Sequence, residues 1–258
     1  AAIYSDGSAK PVTQESAKIS DWYACLHGHA QQQADAEQAY IQADMRGCET
    51  WVSLPDWEEC PEAFPRWWGK VVSKMRRPVV RMDKALYGHP KAGLYWERHC
   101  DERLQKVGFE PIPDCNSIYR HHRLELMLSV YVDDMVLSGP ENNLEEGWRL
   151  IREDAQINLE KIESPGLYLG CQRHFGTVNI PAKYNKETGE TTPAKTVRTV
   201  TYDMEKYLKA TVERYIELES ALTGRKCVLR PAKTPFIQED TMNAPQRAPA
   251  ERCPCCLR

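Results

Sequence analysis

Two adjacent carboxylates stand in the middle of the most apolar stretch of the chain. The stretch is LMLSVYVDDMVLSGP, and the two acids are Asp133 and Asp134. An ionised carboxylate is costly to bury without a partner, and neighbouring carboxylates repel each other, so one of the pair would be driven towards its protonated form. A divalent cation removes that penalty, and Mg²⁺ binds a few carboxylate oxygens together with substrate phosphates and water. The pair is therefore a candidate metal site of the kind used in phosphoryl transfer.

A site of this kind needs a further acid from elsewhere in the chain. Asp35 is the best candidate, because it opens the segment DAEQAYIQA next to an expected strand end, with an aromatic residue, Tyr40, five positions later. We expect Asp35 to lie near Asp133 although 98 residues separate the two. A separation above about 10 Å would contradict a shared two-metal site. The alternatives are an exposed turn of two acids at Asp133 and Asp134, and a helix-cap or surface acid at Asp35.

A hairpin turn is the element that can bring the two adjacent acids to one edge. In a regular strand, neighbouring side chains point to opposite faces, so Asp133 and Asp134 would not share a site there. If LMLSVYV and MVLSG are the two arms of a hairpin, the acids fall at its turn, and the apolar arms fix that turn against a core. The preceding NSIYRHHRLE predicts another hairpin that leads into the first arm.

Amphipathic periodicity predicts the helices that pack around this hairpin. Four helices are expected: one that begins at a Thr13 cap, one from about Leu94 to Val107, one over ENNLEEGWRLIRED, and one from Thr201 to about Leu218. The residues expected on their inner faces are Ile19, Trp22, Tyr23 and Leu26, then Trp96, Cys100, Leu104 and Val107, then Leu144, Trp148 and Ile151. GLYLGCQ is expected to be a strand and residues 180–200 a polar loop. Because strands and helices mix without regular βαβ alternation, the predicted class is α+β.

Bulk properties set the limits of these interpretations. The 258 residues, 41% hydrophobic and 28% charged, suffice for one large domain or two smaller ones. The net charge of −3 slightly disfavours a dedicated nucleic-acid binder. Most of the ten cysteines lack paired spacing, which indicates reduced, intracellular thiols.

No long uncharged apolar run is present, and a chain that begins without Met is expected to be a fragment or a processed piece. Asp6 is expected to be a turn residue, and CPCC near the end is not expected to form an ordered zinc site.

Several blocks in order resemble one family, the Copia-type retrotransposon reverse transcriptases. DAEQAYIQADM resembles its first catalytic block, and LSVYVDDMVLSGP its catalytic hairpin. The other similar blocks are KALYGHPKAGLYWERHCDERLQKVGFEPIPDCNSIY, SPGLYLGCQ, DMEKYLKATVERY and PAKTPF. The resemblance covers roughly residues 16–236. It implies an RNA-directed DNA polymerase whose palm is an antiparallel sheet with packed helices, here with truncated fingers and a helical thumb.

The resemblance also implies roles for particular residues. Asp35, Asp133 and Asp134 would bind two Mg²⁺ ions, for which Mn²⁺ could substitute, and would carry nucleotidyl transfer from a deoxynucleoside triphosphate to a primer 3′-hydroxyl. The residues expected on the substrate side are Tyr40 as a steric gate against a ribose 2′-hydroxyl, Tyr131 under the primer–template end, and Gly88, Lys91 and Trp96 along the nucleotide and template side. The sequence departs from the family where Lys91 replaces a usual Gln and Leu94 a common Arg, so Lys91 could bind phosphate as a point charge.

The expected organisation follows from the same resemblance. Residues 1–178 would form the truncated fingers and palm, 179–237 a thumb-like segment, and 238–258 a disordered tail. The basic fingers residues that hold the triphosphate have no clear counterpart before Asp35, and no connection or RNase H part follows PAKTPF. The partners implied are an RNA or DNA template with primer, a deoxynucleoside triphosphate, and integrase and RNase H parts of a polyprotein, with no membrane. The implied location is intracellular, in cytoplasmic virus-like particles or the nucleus.

Two other function classes remain open. A decayed or captured fragment would keep the fold and weak nucleic-acid affinity without activity. A phosphoryl-receiver domain also places adjacent acids at a strand end, but it needs a regular βα alternation that this chain lacks.

Overall fold

The computed structural model describes residues 9–54, 62, 67–72, 74–184 and 191–229. Asp6 and the tail from Gln238, with its CPCC segment, lie outside the described residues. The helices are α1 (Gln14–Ala24), α2 (Ala39–Gln42), α3 (Trp68–Val72), α4 (Ala92–Lys106), α5 (Leu144–Arg149) and α6 (Glu205–Thr223). The strands are β1 (His29–Asp35), β2 (Trp51–Ser53), β3 (Val79–Arg81), β4 (Phe109–Pro111), β5 (Ile118–His121), β6 (Leu126–Tyr131), β7 (Asp134–Pro140), β8 (Leu167–Tyr168), β9 (Cys171–Ile180), β10 (Lys183–Tyr184), β11 (Thr191–Thr192) and β12 (Lys195–Asp203). The mixture of antiparallel sheets and helices agrees with the predicted α+β class.

A five-stranded antiparallel sheet is the centre of the fold. Its strand order is β1-β7-β6-β5-β4, so β1 lies beside β7 although the two are far apart in sequence. The predicted hairpins are confirmed, because β5 pairs with β6 and β6 pairs with β7. Smaller sheets are formed by β2 with β3, by β10 with β11, and by β12, β9 and β8.

Each face of the central sheet packs against its own apolar cluster. One face packs against α4 and α5 through a large apolar core, in which Leu128, Met135 and Leu137 are fully buried. The other face carries a smaller apolar cluster that includes Ile118 and Val136, and α1 contacts this side. Successive strand residues point to opposite faces, so Asp134 shares its face with Val136.

The prediction for α4 is confirmed and that for α1 is only partly right. In α4, Trp96, Cys100 and Leu104 are buried as expected. Helix α1 has the predicted cap, since the backbone N–H of Ser16 donates to Thr13 Oγ1 at 3.2 Å.

The inner face predicted for α1 is wrong. Ile19 and Trp22 are 46% and 62% exposed, while the residues buried on this helix are Ala17, Ser20, Asp21 and Ala24. Helix α1 packs with its small and polar side inwards because Asp21 forms an ion pair with a buried cation, Arg173, which is described below.

The segment after β9 also differs from its prediction. Residues 180–200 were expected to be a polar loop, but β12 pairs with β9 from Lys195↔Ile180 to Asp203↔Gln172. The run TVRTVTYD is rich in β-branched residues, which favours a strand in spite of its polarity. For the same reason the following helix begins at Glu205 instead of Thr201, and it ends at Thr223.

The chain divides into two compact units, Ala1–Tyr207 and Leu208–Arg258. The first unit contains all the strands that the structure describes, and the second contains most of α6. This division lies elsewhere than the predicted domain boundaries after residues 178 and 237, which remain predictions. Within the described part of the chain, no helix is both long and apolar enough to cross a membrane.

Candidate active site

The adjacent acids lie at a two-residue hairpin turn, as predicted. Tyr131 ends β6 and pairs with Asp134, which begins β7, so Val132 and Asp133 form the turn. Val132 has a φ of +58°, whereas Asp133 is not among the residues with positive φ. A positive φ at the first turn residue alone is the type II′ pattern, which matches the twist of a hairpin. The turn is held from both sides by strands whose apolar residues are buried in the core.

Asp35 lies directly opposite Asp134. It is the last residue of β1, and the two are register partners in the β1–β7 pair. The next pair along is hydrogen-bonded, since the N–H of Ala36 donates to the carbonyl of Asp133 at 2.8 Å. Asp35 and Asp134 therefore form a non-hydrogen-bonded pair, in which the Cβ atoms are about 4.5–5.5 Å apart on the same face. This places the two acids well inside the 10 Å limit expected for a shared site.

The closeness of these carboxyls changes the acidity of Asp134. Burial, and after it the negative charges of Asp35 and Asp133, raise the pKa of Asp134 to about 6, and a hydrogen bond with the Asp35 carboxyl acts in the same direction. The positive charge of Arg173 opposes the rise. Asp134 is thus a position where either a proton or a cation relieves the repulsion between carboxylates.

The donor set has the chemistry that a hard divalent cation prefers. Three carboxylates at one end of a sheet supply only oxygen ligands, which suit Mg²⁺. Across the ranges that the structure describes, however, no group of three or more His, Cys, Asp or Glu side chains is placed to hold a metal ion. The fold brings Asp35 and Asp134 together and leaves Asp133 on the adjoining turn, so the orientation of the turn decides whether its carboxylate joins them.

Two tyrosine rings face the acid of the turn. Tyr40, in α2, and Tyr87 have ring centroids 4.4 Å apart. Burial, Tyr87 and the charge of Asp133 raise the pKa of Tyr40, and burial and Asp133 likewise raise the pKa of Tyr87. Both phenols therefore stay neutral over the physiological range beside Asp133. The structure places the predicted gate residue next to the acidic turn.

The other residues predicted on the substrate side occupy different environments. Tyr131 is 37% exposed at the end of β6. Gly88 is exposed with a φ of +93°, which glycine adopts without strain, and Lys91 lies at the start of α4, where its N–H donates to His89 Nδ1 at 3.2 Å. Their assignment to substrate binding remains a prediction.

Trp96 differs from these residues because it is only 2% exposed. Its indole N–H donates to the carbonyl of Val132 in the turn. The indole of Trp96 therefore contacts the turn backbone, and its assignment to the nucleotide and template side remains a prediction.

Sequence reasoning missed a buried polar network on the same face as the acids. Arg173, in β9, donates to Asp21 Oδ1 at 3.0 Å, to Gln31 Oε1 at 2.9 Å and to Gln33 Oε1 at 2.7 Å. Gln31, Gln33 and Asp35 alternate along β1, and this period of two was the available signal for a strand with a polar inner face. The network joins α1, β1 and β9 behind the pair of acids.

A comparison of the sequence with known families agrees with this geometry. The family model described as Reverse transcriptase (RNA-dependent DNA polymerase) matches residues 4–184, which is more than half of the chain. The matched region contains the central sheet, the acidic turn and β1 with Asp35. The chain therefore belongs to the reverse transcriptase (RNA-dependent DNA polymerase) family.

Proposed function

We propose that the chain is the polymerase part of a Copia-type reverse transcriptase, which transfers a nucleotide from a deoxynucleoside triphosphate to a primer 3′-hydroxyl. The observation that carries the proposal is the pairing of Asp35 with Asp134, beside the turn that holds Asp133. A pairing between strands so distant in sequence has to be built by the fold. If Asp35 were an ordinary surface acid, nothing would favour a β1–β7 register that sets it opposite Asp134.

The three acids would hold two divalent ions, Mg²⁺ or in its place Mn²⁺. When bound, such ions lower the pKa of an attacking hydroxyl and neutralise charge on a triphosphate. The protein positions Asp35 and Asp134 on adjacent strands, whose ladder fixes their spacing. Because the pKa of Asp134 is raised to about 6, a cation held there would compete with a proton at moderately acid pH.

The neighbouring residues would select and orient the substrates. Tyr40 would exclude the ribose 2′-hydroxyl, because its ring stands beside Asp133 and is supported by Tyr87. Tyr131, half exposed at the end of β6, would lie under the primer–template end. Gly88 and Lys91 would line the nucleotide side, where the Lys91 ammonium would attract phosphate.

The wider assignment rests on the resemblance to the Copia-type family. Residues 1–178 would be truncated fingers and palm, 179–237 a thumb-like segment, and 238–258 a tail. The template would be RNA or DNA with a primer, and integrase and RNase H parts of a polyprotein would be the further partners. The location implied for the protein would be cytoplasmic virus-like particles or the nucleus.

An inactive palm with weak nucleic-acid affinity is the second candidate. The observation in its favour is that no three-ligand group is placed to hold a metal among the described side chains. The intact Asp35–Asp134 pair argues against it.

Primer extension separates the two candidates. The wild-type chain, Asp134→Asn and Glu37→Gln are compared on RNA and DNA templates with Mg²⁺. Glu37 is an exposed acid close to Asp35 in sequence and is not a predicted ligand, so it serves as the matched control. We expect Asp134→Asn to lower the rate by about a hundredfold or more, since a metal ligand supplies several kcal/mol to the transition state. Equal rates for the wild type and Asp134→Asn, or no extension by either, would contradict the proposal.

A further inference from the structure

A helix in the core makes a direct hydrogen bond to the backbone of the acidic turn. Trp96, in α4, is 2% exposed, and its indole N–H donates to the carbonyl of Val132. In a two-residue hairpin, this carbonyl belongs to the central peptide of the turn and has no partner in the strand ladder. The indole therefore satisfies a carbonyl that the hairpin itself leaves unpaired.

The bond lies at the peptide whose rotation would change the type of turn. Val132 has a φ of +58°, which is unfavourable for a β-branched residue, while Asp133 keeps a negative φ. Rotating the peptide between them converts a type II′ turn into a type I′ turn, in which the second residue also has a positive φ. Such a rotation would redirect the Asp133 side chain, so the peptide needs an external contact to keep one orientation.

The neighbours of Trp96 hold its indole in place, and a cavity beside the indole would let the turn move if a smaller side chain replaced it. The ring of His99 stacks on the indole, with centroids 5.7 Å apart. A small cavity of about 40 Å³ lies beside the indole, and Tyr40 and Val132 also line it. A smaller ring at position 96 would enlarge this cavity directly behind the turn.

We propose that Trp96 is a positioning residue, whose indole N–H holds the Val132–Asp133 peptide so that the Asp133 carboxylate keeps one orientation relative to the Asp35–Asp134 pair. The expected effect of this contact on the reaction rate rests on the proposed polymerase function. The expected effect on the turn, which is to fix its conformation, is independent of that function.

The test compares Trp96→Phe with Trp148→Phe. Trp148, in α5, is also 2% exposed, and its indole N–H donates to Gln32 Oε1 at 3.0 Å. Each substitution removes one buried N–H donor and the same ring volume, but only Trp96 reaches the turn. The amide of Ala36, directly after β1, is the structural reporter, because it donates to the carbonyl of Asp133. The amide of Gln33, within β1, donates to the carbonyl of Glu163 and is the reference.

Amide hydrogen exchange tests the position of the turn without reference to activity. We expect Trp96→Phe to speed exchange at Ala36 by about tenfold relative to Gln33, and Trp148→Phe to leave that ratio unchanged, since loss of a local contact favours local opening. In the wild type, the indole proton of Trp96 should exchange as slowly as that of Trp148 and far more slowly than that of Trp22, which is 62% exposed. An unchanged Ala36 ratio, or a Trp96 indole that exchanges as fast as Trp22, overturns the proposal.

Primer extension tests the consequence for catalysis. We expect Trp96→Phe to lower kcat by about ten- to a hundredfold with a KM for the nucleotide within about threefold, because a small displacement of a catalytic group reduces rate more than binding. Trp148→Phe should stay within about twofold of the wild-type kcat below its unfolding temperature. Equal kcat values for the two variants overturn the proposal, whereas a wild type that extends no primer contradicts the proposed function and leaves hydrogen exchange to decide the positioning role.

Discussion

Replacing Arg173 by Met is expected to destabilise the first unit far more than breaking a salt bridge at its surface. The Arg173 and Asp21 side chains are 1% and 2% exposed, and their charged atoms are 3.0 Å apart. The guanidinium also donates to Gln31 and Gln33. Arg173→Met therefore leaves a buried carboxylate at Asp21 without its cation and Gln31 Oε1 without its guanidinium donor, while Gln33 Oε1 keeps the hydrogen bond from the N–H of Gly166 at 2.9 Å.

The expected loss can be estimated from these contacts. Removing one partner of a buried ion pair costs about 3–5 kcal/mol, because the remaining charge stays desolvated. Asp21 keeps hydrogen bonds from Gln31 Nε2 at 3.0 Å and from the Tyr202 hydroxyl at 2.8 Å, so the lower end of the range applies. A loss of about 3 kcal/mol lowers the Tm of a unit of this size by about 6–12 °C.

The control is Arg46→Met. Arg46 binds Glu102 at 2.6 Å, but the two side chains are 46% and 48% exposed. An exposed pair contributes about 1 kcal/mol or less, so Arg46→Met should lower the Tm only slightly. Urea denaturation and calorimetry of the full chain measure both variants.

A double variant tests the reason for the loss. Adding Asp21→Asn to Arg173→Met removes the stranded charge, so the double variant should recover a large part of the stability lost by Arg173→Met. The reasoning is refuted if Arg173→Met costs no more than Arg46→Met, or if Asp21→Asn adds its own full loss to that of Arg173→Met.

Two further predictions concern the acids and the gate. A carboxyl whose pKa is raised on folding, as that of Asp134 is to about 6, stabilises the fold at low pH and loses that contribution as the pH rises through about 6. Asp134→Asn should therefore match the wild type at pH 4 and exceed its free energy of unfolding at pH 8 without metal by about 1–2 kcal/mol, a figure reduced for partial solvent screening. Denaturant titration with a chelator measures this, and a less stable variant at pH 8 would count against it. Tyr40→Ala should lower the preference for deoxy- over ribonucleotides by about tenfold or more in primer extension, since the excluding ring is lost. Tyr23→Ala, in α1, is the control, and an unchanged preference in Tyr40→Ala would exclude the gate role.

The sequence predicts the hairpin and its acids well because the signals there are local. The apolar arms of β6 and β7 surround two acids, and the periodicity that places Trp96 and Leu104 inside α4 is equally regular. It fails where a tertiary partner overrides the pattern. Trp22 completes an apolar stripe on α1, yet the helix buries Asp21 instead, because Arg173, 152 residues away, requires an anion. Nothing local to α1 carries that information.

Strand β1 shows how a polar segment can still define the position of a site. Its residues HAQQQAD show only a weak form of the apolar and polar alternation that fixes most strand registers, because Gln32 interrupts the apolar positions Ala30 and Ala34. The polar network takes over that role, since Gln31 and Gln33 bind Arg173 on one face.

A slip of one residue along β7 would turn both glutamines and Asp35 towards the apolar core around Met135 and Leu137. They would then be buried without hydrogen-bond partners, at a cost of a few kcal/mol for each polar group. The register that satisfies Arg173 is the same register that sets Asp35 opposite Asp134. The contacts of the buried Arg173 with Gln31 and Gln33 and the position of Asp35 at the end of β1 are thus consequences of one alignment, and a change that loosens the first is expected to misplace the second.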